Sequence, residues 1–123
     1  MAKITIPVPP MGKPRMTQRD RWAQRDCVVR YRAYCDAIRE HLPSGIACSG
    51  TVNWRAYFPI PESWSKKRKT ETAGKPHTQK PDRDNIDKGL LDCLFRDDSI
   101  VWRGTLEKYW DDGKGPRIEL EVL

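Results

Sequence analysis

Ile4 and Ile6 alternate with polar neighbours in KITIPVPP until two prolines stop the run, which predicts a first strand. In RDCVVRYRAYCDAIREHL, Val28, Tyr31, Cys35, Ile38 and Leu42 recur at helical spacing, and PSG closes an amphipathic helix. Alternation resumes in SGTVNWRAYFPIP, with Val52, Trp54, Ala56 and Phe58 on one face of a second strand. The next stretch, ESWSKKRKTETAGKPHTQKP, has no apolar period and is broken at Gly74, Pro76 and Pro81, so a mobile loop is expected over about 63–81. DRDNIDKGLLDCLF then places Ile86, Leu90, Cys93 and Leu94 in one helical arc and Asp84, Lys88 and Asp92 in the opposite one. Leu91 and Phe95 fall beside the polar arc as a second apolar patch, a candidate dimer contact. DDSIVWRGTLEKYW and GPRIELEVL read as two closing strands joined through DDGKG. The order β-α-β-loop-α-β-β predicts one α/β domain of α+β type over residues 1–123, with a mixed sheet and two main helices.

Charge sharpens this picture. The chain of 123 residues has a formal net charge of +6, and the excess is unevenly placed. Met11 to Arg32 holds seven basic residues against two acidic ones, and so does Ser65 to Arg83. From Asp84 to Leu123 ten acidic residues face six basic ones. Like charges this dense predict a polyanionic partner, with Lys13, Arg15, Arg19, Arg21, Lys66, Lys67, Arg68, Lys69, Lys80 and Arg83 as DNA contacts. A mean hydropathy of −0.79 and no long apolar run exclude a membrane span, and the start lacks a signal-peptide core. A cytoplasmic setting is therefore expected. Cys27, Cys35, Cys48 and Cys93 form no C-x-x-C pair, so they read as reduced thiols and not as a zinc site. Of the five tryptophans, Trp54 and Trp102 are expected in the core, while Trp22 and Trp64, in basic segments, are candidates to stack on unpaired bases. His77 reads as an exposed loop histidine.

The chemistry concentrates around the second helix. Asp82 and Asp84 stand at its mouth, and Asp97 and Asp98 lie just past its end. Taken singly, Asp84 is a good helix cap and Asp97-Asp98 a turn. One aspartate suffices for a cap, however, and two stand there beside a basic segment. If the following strand folds back, Asp82, Asp84 and Asp98 form an all-oxygen site suited to Mg²⁺ or Mn²⁺. An EF-hand is excluded, because its sixth loop position would be Asp87 and its twelfth Cys93. Lys88, one turn beyond Asp84, could reach a phosphate. These are the parts of a phosphodiester hydrolase.

The run KPDRDNIDKGLLDCLFRDD resembles the signature of the RusA family of Holliday-junction resolvases: D-x-D-N, a lysine three residues after the asparagine, an aspartate four further, then D-D. The resemblance extends to the opening strand ending in Pro-Pro and covers nearly the whole chain. It implies that Asp82, Asp84 and Asp98 bind Mg²⁺ and act with Lys88, that Asn85 lies near the site, and that Asp92 and Asp97 support it. It also implies a homodimer that nicks opposed strands of a four-way junction in DNA recombination and repair, without a small-molecule cofactor. The short spacing from Asp92 to Asp97 and MGKPRMTQRDRW after Pro10 depart from other members, as expected of a phage or prophage protein. The alternatives are a non-catalytic branched-DNA-binding protein and a nuclease acting on forks and flaps.

Overall fold

The alternating segments become the four strands of one mixed sheet in the computed structural model, which describes residues 2–14, 25–42, 50–95 and 98–123. β1 is Ala2–Ile6, β2 Thr51–Phe58, β3 Arg103–Trp110 and β4 Arg117–Val122, in the spatial order β1-β4-β2-β3. β4 pairs antiparallel with β1 and β2, while β2 and β3 run parallel. A parallel pair needs a long crossover. Here it carries α2 (Lys66–Thr72) and α3 (Arg83–Leu94), and α1 (Asp26–Glu40) connects β1 to β2. The result is the expected small α+β domain with one more helix than predicted. No helix among the described residues is long and apolar enough to cross a membrane.

The last two strands are joined through DDGKG as expected, yet they do not pair with each other, because β2 lies between them. Burial explains the placement. β4 hides Ile118, Leu120 and Val122 and takes a central position, whereas β3 is largely polar, hides Leu106 and Trp110, and takes the edge. The joining loop is tied by the Asp111 carboxylate, which accepts the backbone N–H groups of Gly113 and Gly115 at 3.0 Å each. Arg117 donates to both Asp112 carboxylate oxygens at 2.9 and 3.1 Å and to Glu119 at 3.0 Å, and its guanidinium lies 3.8 Å from the Tyr57 ring centroid. These bonds to Arg117 hold the Asp112 carboxyl down at about 2.

On the inner face Val52, Trp54, Ala56 and Phe58 join Tyr31, Tyr34, Cys35 and Ile38 of α1 and Ile86, Leu90 and Cys93 of α3 in one apolar cluster. Two expectations for the core change. Cys35 and Cys93 are not reduced thiols but a disulfide, their Cα atoms 4.9 Å apart where α1 meets α3. A separation of 58 residues left no local trace of the pairing. Cys27 is free, and Cys48 lies outside the described residues. Trp54 is buried, but Trp102 precedes β3 and is 72% exposed.

The basic segment after β2 carries a helix, α2, where the sequence predicts a loop. Ser65 caps α2 by accepting the Arg68 N–H at 3.2 Å, and Thr70 donates to the Lys66 carbonyl at 3.0 Å. α2 buries no residue, so it leaves no apolar period. Trp64 anchors it: the ring tilts against Trp110 at 5.1 Å and carries Arg68 at 3.5 Å, which engages it within the protein. Beyond α2, Lys75 to His77 lies along β3, with Trp110 N–H donating to Lys75 O at 2.8 Å and His77 N–H to Lys108 O at 2.9 Å.

His77 is therefore buried, not exposed; it stacks on Phe58 at 4.0 Å and meets the tilted Trp110 ring at 4.4 Å. Burial and then the Lys108 ammonium push its pKa below the usual histidine value. The unfolded chain then binds a proton below about pH 6.5 that the folded ring refuses, so stability is full above that pH and falls below it. Thermal melts from about pH 7.5 down to 5 should show this loss, and His77→Phe, which keeps the stack, should flatten it.

Candidate active site

α3 starts from an extended entry. Asp82 occupies the N-cap position with φ −67° and ψ 152°, and its side chain makes no capping hydrogen bond. The cap thus falls on Asp82, where the sequence had pointed to Asp84, and its carboxylate is not engaged in capping. Asp82 and Asp84 are both exposed, and Lys88 is exposed one turn further along α3. Asp84 lines a cavity of about 630 Å³ with Arg83, Asp87, Leu91, Trp102 and Arg103. The cavity lies between the first turns of α3 and the start of β3, the juncture at which the crossover delivers the helix to the sheet edge.

Lys108 holds the entry. Its Nζ donates to the carbonyls of Gln79 at 2.6 Å and Pro81 at 2.7 Å, so β3 fixes the backbone leading into Asp82. Burial lowers the lysine's pKa, and the nearby Asp82 carboxylate acts the other way. The sequence reading missed Lys108. Its signal was a lysine at a core-facing position of β3, in step with Leu106 and Trp110.

The segment after β1 braces the other side. Lys13 N–H donates to Asn85 O at 3.4 Å, and the Lys13 ammonium pairs with Asp92. Lys13, predicted to meet DNA, therefore meets a predicted support residue. Gly12 fits because a Cβ there would come within 2.9 Å of Pro81 Cβ and against the half-buried Asn85 amide. Further along, Tyr31 OH donates to Gly89 O at 3.1 Å and Arg39 to Cys93 O at 3.0 Å. Burial and then the Asp92 charge raise the Tyr31 hydroxyl to about 12, so it stays a donor.

The other predicted residues divide as follows. Lys66, Lys67 and Arg68 are exposed on α2 and Lys69 is half-buried; Lys80 and Arg83 are exposed on either side of Asp82. Leu91 and Phe95 are half-buried against the core, so the second apolar patch is partly covered within the chain. Asp98 opens a 3₁₀ turn, Asp98–Ile100, directly before β3, and its side chain lies outside the described part. Arg15, Arg19, Arg21, Trp22 and Asp97 lie outside the described residues. Among the described residues no group of three or more His, Cys, Asp or Glu side chains forms a metal cluster. The structure thus places Asp82 at the N-cap and Asp84 in the first turn of one helix, and only Asp84 of the two lines the cavity. What it does place, exposed carboxylate oxygens without soft ligands, suits a hard divalent cation.

The family model described as Endodeoxyribonuclease RusA matches residues 7–123. No curated protein and no solved structure matches the chain. A match over nearly the whole length defines the class, a DNA-cutting enzyme. The chain belongs to the RusA endodeoxyribonuclease family.

Proposed function

We propose that the protein resolves four-way DNA junctions by paired, Mg²⁺-dependent nicks, acting as a homodimer. The observation that carries the reading is the exposed Asp82–Asp84 pair at the mouth of α3, with the Asp82 side chain outside the helix cap, in a chain of this family. Asp82, Asp84 and Asp98 would hold the cation, for which Mn²⁺ could substitute. Once bound, a divalent ion supplies positive charge to the scissile phosphate and acidity to water. The protein's own part is positioning. Lys108 fixes the chain entering Asp82, and the first turn of α3 fixes Asp84 relative to it. Lys88, on the helix turn after Asp84, directs an ammonium toward the phosphate, where it favours the added negative charge of the transition state. Lys66, Lys67, Arg68, Lys80 and Arg83 present exposed cations to the flanking backbone phosphates. Leu91 and Phe95 remain the candidate contacts between copies, and a two-fold dimer would present two equal sites to a nearly two-fold DNA object.

The test is a gel with purified protein and four substrates: a mobile four-way junction, a fork, a flap and a linear duplex, each with and without Mg²⁺. The expected result is symmetric nicking of the junction, dependent on the cation. Binding without nicking under any divalent cation, or equal cutting of flaps and junctions, would overturn it.

A further inference from the structure

Trp102 is the most exposed large apolar side chain among the described residues, and its neighbour Ile100 is 49% exposed. It is nevertheless held. The backbone N–H groups of Trp102 and Arg103 both donate to Gly50 O, at 3.0 and 3.2 Å. The Cδ1–Nε1 edge of the indole lies where a Cβ on residue 50 would stand, and Gly50 has φ +108°, a conformation that favours glycine. One edge of the ring is thus seated while most of its surface stays open.

Its position gives that surface a use. Trp102 lines the same cavity as Asp84, Arg83 and Arg103, and both arginines are exposed. A fixed aromatic face in a cavity that two arginines also line suits a nucleobase whose phosphates reach those arginines. Among the described residues the other tryptophans do not offer this: Trp54 and Trp110 are buried, and Trp64 is engaged by Trp110 and Arg68. A second copy of the chain is the weaker occupant, because the cavity beside the ring is lined by the charged residues Arg83, Asp84, Asp87, Arg103 and Glu107 as well as by apolar ones.

We infer that Trp102 is a stacking platform for an unstacked base at the branch point of DNA, next to the phosphate presented to Asp84. The inference rests on the function proposed above and adds a residue that selects branched over continuous duplex. Paired bases in linear DNA are already stacked on one another and offer no free face, whereas a branch point interrupts the stack. A ring already seated loses little freedom on binding.

The test compares wild type, Trp102→Ala and Trp102→Phe for binding to a four-way junction and a linear duplex without divalent cation, with sedimentation of each protein alone. Trp102→Ala is expected to lose about five- to a hundred-fold in junction affinity and to bind the duplex within about two-fold of wild type. Trp102→Phe should keep most of the junction affinity. Undiminished junction binding by Trp102→Ala, an equal loss on both DNAs, or a change in sedimented mass would overturn the inference. The proposed function fails separately, and this inference with it, if wild type itself shows no preference for the junction.

Discussion

Asp82→Asn is expected to lower the rate of junction cleavage in Mg²⁺ by at least about a thousand-fold, because a cation ligand is worth several kcal/mol at the transition state and each ~1.4 kcal/mol is tenfold. Junction affinity should hold or rise slightly, since the change removes a negative charge from a surface that faces phosphates. The fold should not notice. The Asp82 side chain makes no capping bond to lose, and asparagine is an equally good cap. A melting temperature within about 3 °C of wild type would therefore accompany the loss of cutting. Single-turnover cleavage and a binding titration on the same preparation check both halves. Cutting at the wild-type rate would remove Asp82 from the site.

Lys108→Met should produce the next largest effect, a fall of about ten- to a hundred-fold in cleavage rate, the usual cost of losing a group that orients a ligand. Methionine keeps a side chain of similar length but removes the donors to the carbonyls of Gln79 and Pro81. The entry to α3 then loses its tie to β3, and Asp82 loses its fixed direction. A merely structural role would lower the melting temperature and leave the rate per folded molecule unchanged. A positioning role lowers the rate at unchanged junction affinity and raises the Mg²⁺ concentration needed for half-maximal cutting, with partial rescue by Lys108→Arg. Equal rates at saturating Mg²⁺ and at low Mg²⁺ for wild type and Lys108→Met would defeat the positioning role.

Local pattern made much of this molecule readable before its coordinates. Val52, Trp54, Ala56 and Phe58 alternate because β2 has one buried face, and Ile86, Leu90 and Cys93 share an arc because α3 does. The D-x-D-N run needed only spacing. What stayed hidden depends on contacts between distant segments. α2 has no buried face to impose a period, so its cap at Ser65 and its anchor at Trp64 went unread as a helix. Alternation extends back through Ile100 and Trp102, but β3 begins at Arg103; those two side chains stay exposed, while Val101 between them packs against the core. His77 looked like a polar loop residue because nothing nearby in sequence reveals that Phe58 and Trp110 enclose it. The Cys35–Cys93 pair and the insertion of β2 between β3 and β4 are likewise facts of topology, not of periodicity.

The short run from Lys75 to His77 lies against the outer side of β3 and satisfies backbone groups at Lys108 and Trp110. In effect the crossover doubles as a seal on the C-terminal end of that border strand, where an open edge would otherwise template pairing with neighbouring molecules. Damage to this seal would show first as material lost to the pellet, so low yield in such variants would reflect strand-to-strand aggregation and not a defect in chemistry.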